Sequence, residues 1–194
     1  MIQGIRIIST QIIFLFVERT FFTDTVASIV FMTVFVIIGI IIAKKKEVPL
    51  SVFPTRHKTF YSAATVVALV LIISSVLITE EKDLFFISSL VSSTLIVPVF
   101  EELIFRGYVW NKLEKRFTGK LTVYIITTLL FAVWHIGYVD SIMIRVAPDK
   151  VPFIMFMKVI TGLCFGIVIN AVRYKTRNCY STILLHSVMN LFGR

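Results

Sequence analysis

The sequence predicts an all-α fold, a polytopic membrane bundle of about seven transmembrane helices. Two observations predict this class. The 194 residues are 57% hydrophobic and only 16% charged, whereas soluble domains are about 45–50% apolar and about 25% charged. Several stretches also run for about 20 residues without a charged side chain, which is the length that crosses a bilayer as a helix. The same composition excludes a disordered chain, a collagen-like chain and a disulfide scaffold.

Three stretches of the N-terminal half are the first candidate helices. Ile7–Val17 is short and is bounded by Arg6 and Glu18. No small-residue cleavage site follows it, so we interpret it as a short first span rather than a signal peptide. Thr25–Ala43 and Thr59–Thr79 contain no Asp, Glu, Lys or Arg. Each of these two is long enough to cross the membrane.

Four further candidate helices carry or adjoin polar groups. They are Leu84–Phe100, Leu121–Val139, Val151–Val172 and Asn178–Phe192. The first runs directly into Glu101, and we expect it to continue to about Lys112 because an apolar row at helical spacing follows. That row consists of Phe105, Val109, Leu113 and Phe117. Pro98 is expected to kink or loosen this helix, because it removes the hydrogen bond to the carbonyl of Thr94.

Other residues of these helices have plain structural interpretations. Gly162 and Gly166 form a Gly-x-x-x-Gly face, which predicts close helix packing. Lys158 lies near the outer end of its helix, so we expect its side chain to extend outward. Cys164 lies within a span and Cys179 near the inner face, and their positions do not suggest a disulfide bond.

The basic residues predict the orientation of the bundle. Alternating seven spans from an inner N-terminus places 14 of the 20 Lys and Arg residues on the inside, as expected for short cytoplasmic loops. The inner residues are Arg6, Lys44–Lys46, Arg56, Lys58, Arg106, Lys112, Lys115, Arg116, Lys120, Arg173, Lys175 and Arg177. The net charge of +9 therefore reflects topology. We expect residues 1–194 to form a single integral membrane domain that contacts lipid, with no soluble face for nucleic acid.

Ionisable groups at membrane depth are costly, so they indicate function when they cluster. Glu101 and Glu102 lie in the fourth helix, and Glu102 is four residues from Arg106, the spacing of a stabilising pair. That pairing leaves Glu101 for chemistry. Two further pairs share this four-residue spacing: Phe131 with His135, and His186 with Asn190. At 1.5 Å per residue, Glu101, His135 and His186 lie roughly 12–21 Å from the inner face.

Two carboxylates, two imidazoles and a carboxamide at one depth indicate hydrolysis. A carboxylate or imidazole takes a proton from water, and His or Asn donates to an oxyanion. The same Glu and His groups are also suitable ligands for a divalent metal such as zinc. The His-Glu-x-x-His and Gly-x-Ser-x-Gly patterns are absent from the chain. The residues alone therefore leave a metal-free and a metal-assisted mechanism open.

The three motifs resemble the signatures of one family, the CAAX-protease and bacteriocin-processing intramembrane proteases (the CPBP or Abi family). The matching segments are Glu101-Glu102-Leu103-Ile104-Phe105-Arg106-Gly107-Tyr108, Phe131-Ala132-Val133-Trp134-His135 and His186-Ser187-Val188-Met189-Asn190. They occur in the family's order within a motif-bearing core of residues 84–192. The resemblance implies an all-helical membrane fold with a central polar cavity that opens to the cytosol. We expect the protein to lie in a bacterial cell membrane, and the charge pattern predicts a cytoplasmic N-terminus.

The resemblance also implies roles for these residues. Glu101 would be the base that activates water, assisted by His135, and His186 and Asn190 would stabilise the oxyanion. Glu102, Arg106 and Phe131 would support them. If a metal such as zinc takes part, its ligands would come from Glu101, His135 and His186.

Three functions compete on these observations. The leading hypothesis is an intramembrane endopeptidase that cuts a hydrophobic or membrane-associated peptide or protein. The alternative is a non-catalytic membrane partner, such as a bacteriocin self-immunity or scaffolding protein, which the small size and the lack of a soluble domain suggest. A small transporter is the least favoured, since no inverted repeat or pair of broken helices is visible.

Overall fold

A computed structural model describes residues 2–80 and 82–193, and these ranges contain helices and no strands, as predicted. The seven helices are α1 (Ile2–Ile13), α2 (Phe21–Lys45), α3 (Lys58–Ile78), α4 (Leu84–Arg116), α5 (Lys120–Met143), α6 (Val151–Thr176) and α7 (Cys179–Phe192). Within the described ranges, the five helices α2 to α6 are long and apolar enough to cross a membrane, and α7 is a shorter apolar helix. The predicted all-α membrane bundle is confirmed.

Side-chain caps fix where several helices begin. Thr20 accepts a hydrogen bond from the backbone N–H of Thr23 at the start of α2, at 3.2 Å. Asp83 caps α4, and Asn178 caps α7 by accepting from the N–H of Ser181 at 2.9 Å. A cap of this kind satisfies one of the unpaired N–H groups at a helix start.

The outer surface of the bundle is apolar. In α3 only Ala68 is buried, and Val66, Val70 and Leu77 of the same helix are more than half exposed. A soluble protein rarely exposes such a continuous apolar face. In a bilayer these side chains contact lipid, and the helix satisfies its own backbone hydrogen bonds.

Helix α4 departs from α-helical geometry on both sides of the paired glutamates. Residues Ser92–Ile96 and Leu103–Val109 are π-helical. The N–H of Val97 accordingly bonds the carbonyl of Ser92, five residues back. In that register the next donor would come from Pro98, which has no N–H, and the Ser93 carbonyl accepts from Nδ2 of Asn190 at 2.8 Å. The helix is thus irregular beside Pro98, as predicted.

Helices α5 and α6 pack closely because α6 presents glycines. A Cβ on Gly162 would lie 2.6 Å from Nδ1 of His135, and a Cβ on Gly166 would lie 3.2 Å from a methyl carbon of Thr128. Asn170 continues the same stripe and donates to the hydroxyl of Thr128 at 2.8 Å. The predicted packing role of the two glycines is confirmed.

The prediction that Ile7–Val17 crosses the membrane is wrong. Helix α1 has only 12 residues, and Arg6 is buried and pairs with Asp140 near the C-terminal end of α5, at 2.6 Å. Arg19, on the far side of α1, also pairs with Asp140, at 3.4 Å. Since both flanking arginines reach one carboxylate, α1 lies across one end of the bundle and does not carry the chain through it.

This contact also corrects the position of Arg6. We call the end of the bundle that holds Lys44–Lys46 and residues 112–120 the basic end, and the end that holds Asp140 the opposite end. Because α5 begins at Lys120 and runs away from the basic end, Arg6 lies at the opposite end and not in an inner loop. Arg6 is thus removed from the group of inner basic residues. Lys and Arg remain more numerous at the basic end than at the opposite end.

Asp140→Ala is expected to destabilise the protein, because it leaves the buried guanidinium of Arg6 without its carboxylate. Removing one partner of a buried ion pair costs about 3–5 kcal/mol. The midpoint of thermal unfolding in detergent measures this effect. Asp149→Ala, which removes an exposed carboxylate at the same end, is the matched control. An unchanged midpoint in Asp140→Ala would show that the pair does not hold α1.

Candidate active site

One cavity brings together all four residues predicted to be catalytic. It has a volume of about 560 Å³ and is lined by residues of α2, α4, α5, α6 and α7 and of the segments adjoining them. Glu101, His135, His186 and Asn190 all line it. The three motifs therefore meet at one site, although 89 positions of sequence separate the first residue from the last.

The cavity lies in the half of the bundle away from the basic end. Its lining includes Asp24 near the start of α2, Arg145 after the end of α5 and Phe153 near the start of α6. At the basic end, the loop between α2 and α3 is joined to the start of α7, where the carbonyl of Ser51 accepts from the N–H of Cys179 at 2.8 Å. The expected opening of the cavity to the cytosol stays a prediction.

Glu101 is 1% exposed and is held by two donors from α5. Its Oε1 accepts from Nε1 of Trp134 at 3.0 Å and from the hydroxyl of Tyr138 at 2.5 Å. Its Oε2 is buried and accepts no hydrogen bond from the described residues, and it lies 4.0 Å from Nε2 of His186. Two donors therefore fix one carboxylate oxygen while the other is directed at an imidazole.

Glu102 forms hydrogen bonds with two neighbouring side chains of the site. Its Oε1 accepts from Nη1 of Arg106 at 3.0 Å, as the spacing predicted, and from Nδ1 of His186 at 2.9 Å. Because the carboxylate only accepts, Nδ1 of His186 carries a proton. The other ring nitrogen, Nε2, lies 4.0 Å from Oε2 of Glu101.

Arg106 is completely buried and joins three helices. Its Nε donates to Oδ1 of Asn170 in α6 at 2.9 Å, and its guanidinium lies 4.3 Å from the ring centroid of Phe131 in α5. Together with the Glu102 pair, these contacts offset part of the cost of burying the cation. One of its nitrogens, Nη2, has no partner among the described residues.

The backbone of α5 leaves α-helical geometry just before His135, and this change sets the orientation of the imidazole. The α-helical part ends at Trp134, and the N–H of His135 bonds the carbonyl of Ala132, one residue nearer than in an α-helix. The carbonyl of Phe131 is then available and lies 2.8 Å from Nδ1 of His135. Because a carbonyl only accepts, Nδ1 is protonated and Nε2 is the basic nitrogen. The ring of Phe131 also packs edge-on against the imidazole, with 5.0 Å between centroids.

Asn190 holds the non-helical part of α4. Its Nδ2 donates to the Ser93 carbonyl in the π-helical segment, which joins α7 to α4 at the wall of the cavity. The structure thus gives Asn190 a positioning contact, and its predicted bond to an oxyanion stays a prediction.

Sequence reasoning missed three residues of the site. Trp134 and Tyr138 hold Glu101, and Lys158 lines the cavity with its Nζ 5.8 Å from the ring centroid of Tyr138. Lys158 is exposed and its cavity lies away from the basic end, so its outward extension stays a prediction. A signal existed for the two aromatic residues, because Trp134 adjoins His135 and Tyr138 lies one helical turn beyond Trp134.

The predicted metal ligands do not form a complete set. Among residues 2–80 and 82–193, no three His, Cys, Asp or Glu side chains lie close enough together to hold a metal ion. Glu101 and His186 approach to 4.0 Å, but a catalytic zinc ion ordinarily takes three protein ligands. The arrangement of Glu101, His135 and His186 does not fit such a site. A metal cofactor stays a prediction, and the chemistry of the site is derived from its side chains alone.

Comparisons with known proteins match the part of the chain that holds the three motifs. The family model described as type II CAAX prenyl endopeptidase Rce1-like matches residues 83–192, the range that holds all three motifs. A protein of Lactococcus lactis subsp. lactis (strain IL1403), described as UPF0177 protein YxdF, is 29% identical over 99 residues. The aligned part covers 51% of this chain and 44% of that relative, so the chain spans less than half of the relative's length. No solved structure matches.

Arg106→Lys is expected to lower the unfolding midpoint, because an ammonium does not reproduce the planar fork that reaches both Glu102 and Asn170. Breaking a buried charge network of this kind costs about 3–5 kcal/mol. Thermal unfolding in detergent is again the measurement. Arg116→Lys, at an exposed position in the same helix, is the matched control, and equal midpoints for the two variants would contradict the assigned role of Arg106.

Proposed function

Because the chain belongs to the family of type II CAAX prenyl endopeptidases that are Rce1-like, we propose that it is an intramembrane endopeptidase. The match confirms the resemblance that the three motifs predict. We propose that the substrate is a membrane-associated or hydrophobic peptide, cut within the cavity by water that a glutamate activates. One observation carries the proposal: the three motifs, each on a different helix, converge until Glu101 Oε2 and His186 Nε2 are 4.0 Å apart.

Glu101 is the group proposed to activate water. Its Oε1 is occupied by Trp134 and Tyr138, whereas its buried Oε2 has no partner among the described residues. An unpaired buried carboxylate oxygen is costly, and a catalytic role is one explanation for its retention. In this proposal Oε2 takes a proton from water as the water oxygen bonds to the peptide carbonyl carbon. The proton then passes to the nitrogen as the C–N bond breaks, which leaves a carboxylic acid and an amine.

The two histidines are proposed to assist at different points. His135 lines the cavity and has its Nδ1 committed to the Phe131 carbonyl, so Nε2 is available to accept a proton from water. His186, when protonated on both nitrogens, donates from Nε2 to the oxyanion while Glu102 stabilises its charge through Nδ1. Asn190 would contribute the second donor predicted from the sequence.

The alternative function, a non-catalytic membrane partner, predicts a different dependence on Glu101. Binding to a partner protein requires the bundle to fold but does not require Glu101 to be ionised. Protection or binding would therefore survive Glu101→Gln, whereas hydrolysis would not.

We further propose that the basic end faces the cytoplasm, because Lys and Arg are enriched in cytoplasmic loops. The cavity lies towards the opposite end. This arrangement would present the site to substrates at the outer half of the membrane.

Glu101→Gln and His135→Ala are expected to reduce hydrolysis by roughly 10²–10⁴-fold, the usual contribution of a general base. The probe is an internally quenched peptide that carries a prenylated cysteine followed by three residues, incubated with purified protein in detergent. Glu18→Gln, at an exposed position outside the cavity, is the control. Full activity in either site variant, at an unchanged unfolding midpoint, would overturn the proposed mechanism.

Labelling of single cysteines tests the proposed side of the membrane. In a Cys164→Ala, Cys179→Ala background, Asp149→Cys lies at the opposite end and Lys115→Cys at the basic end, both at exposed positions. A membrane-impermeant maleimide added to intact cells should label Asp149→Cys, and should label Lys115→Cys only after permeabilisation. The reverse pattern would place the cavity on the cytoplasmic side.

A further inference from the structure

The part of α5 that contacts Glu101 includes an irregular turn. Trp134 is the last α-helical residue before it, and His135–Tyr138 form one turn of 3₁₀-helix. Trp134 and Tyr138 are the two donors to Glu101, and His135 lines the cavity. A 3₁₀ turn has poorer hydrogen-bond geometry than an α-helix. Support from other elements is therefore important for holding these three side chains in place.

Two polar side chains of α1 reach this turn. Nε2 of Gln3 donates to the carbonyl of Trp134 at 3.3 Å, and Nη2 of Arg6 donates to the carbonyl of Gly137. The two α1 side chains are also joined to each other, since Nε of Arg6 donates to Oε1 of Gln3 at 2.8 Å. One connected pair of side chains thus holds the backbone of α5 on both sides of His135.

Arg6 also contacts one of the residues that hold Glu101. Its guanidinium lies 5.2 Å from the ring centroid of Tyr138, within the range of a cation–π contact. The hydroxyl of the same ring donates to Oε1 of Glu101 at 2.5 Å. Arg6 is itself buried and is paired with Asp140 at 2.6 Å. The guanidinium is therefore held in place and supports the tyrosine ring from the side of α1.

The close approach of α1 to this turn depends on a glycine. A Cβ on Gly137 would lie 2.5 Å from Cδ of Gln3 and 2.7 Å from its Cγ, closer than real Cβ atoms come to a neighbour. The Gln3 side chain could move away only by giving up its hydrogen bonds to Trp134 and Arg6. A side chain at position 137 and the observed position of Gln3 are thus incompatible.

Helix α1 turns its polar face to the bundle and its apolar face away from it. Arg6 and Thr10 are its buried residues, whereas Ile5, Ile8 and Ile12 are exposed. A surface helix of a soluble protein does the reverse and buries its apolar stripe. Burial of apolar area therefore does not determine where α1 sits on α5, and the hydrogen bonds of its polar face do.

We propose that Gln3 and Arg6 are positioning residues, which hold residues 134–138 and through them set the carboxylate of Glu101 for hydrolysis. The catalytic part of this inference rests on the proposed endopeptidase function. Neither side chain is part of the cavity wall, so both act through the two donors to Glu101. Loss of this support would displace the donors, and a displacement of about 1 Å from the reactive geometry costs up to roughly a hundredfold in rate.

Fluorine NMR of the tryptophans tests the positioning without any substrate. The chain has two tryptophans, so protein labelled with 5-fluorotryptophan in detergent gives one resonance for Trp134 and one for Trp110, which serves as an internal control. Gln3→Ala should shift the Trp134 resonance by more than its linewidth and leave that of Trp110 in place. Gln11→Ala, at an exposed position of the same helix, should move neither. A general loss of structure would move both.

Two further variants separate the hydrogen bonds from other effects. Arg6→Lys keeps a cation beside Asp140 but loses the fork that reaches Gln3 and Gly137 together, so it should shift the Trp134 resonance as well. Gly137→Ala should do the same when Gln3 is present, and should add little in a Gln3→Ala background, because the clash is then absent. An unmoved Trp134 resonance in Gln3→Ala, with the protein folded, would overturn the inference.

Cleavage of the internally quenched peptide measures the consequence for catalysis. Gln3→Ala should lower kcat roughly ten- to a hundredfold with little change in KM, because the carboxylate is displaced while the cavity wall is intact. Gln11→Ala should leave both constants unchanged. An unchanged kcat in Gln3→Ala, in a protein that cleaves the peptide, would overturn the catalytic part of the inference. Absence of cleavage in the unaltered protein, together with the expected shift of Trp134, would reject the endopeptidase and sustain the support of α5 by α1.

Discussion

The structure depends on a single buried carboxylate, Glu102, that serves two partners on different helices. It accepts from Arg106 within α4 and from His186 in α7, and Arg106 in turn reaches Asn170 in α6. In an apolar environment each of these charges is tolerable only because the others are present. The requirement for mutual pairing fixes the relative positions of α4, α6 and α7, and it directs one nitrogen of His186 towards Glu101. The same contacts therefore support the fold and orient the site.

Irregular helix geometry supplies the second requirement, which is room for polar chemistry between tightly packed helices. π-Helical segments are rare and are frequent at functional sites, and here two of them lie on either side of the paired glutamates. The Ser93 carbonyl in the first segment accepts from Asn190. On α5, the Phe131 carbonyl lies 2.8 Å from Nδ1 of His135. In both cases a backbone carbonyl at an irregular part of a helix positions a side chain of the cavity.

The sequence predicted the features that follow from helical periodicity. Apolar runs located the spanning helices, and four-residue spacing located the Glu102–Arg106 pair. Contacts between residues far apart in the sequence could not be predicted from periodicity. Arg6 looked like a flanking residue of a first span because its partner, Asp140, is 134 positions away. That Lys158 lines the cavity was not predicted, because nothing local shows which face of α6 borders it. The hydrogen bonds that join the loop between α2 and α3 to α7 were not predicted for the same reason.

The loop between α2 and α3 also couples helices that are far apart in the sequence. The carbonyls of Ser51 and Val52 accept from the N–H groups of Cys179 and Tyr180, so this loop is joined to the first residues of α7. Because α7 also carries His186, a displacement of the loop is transmitted along a short helix to the imidazole in the cavity. The basic end of the bundle and the cavity are therefore mechanically linked.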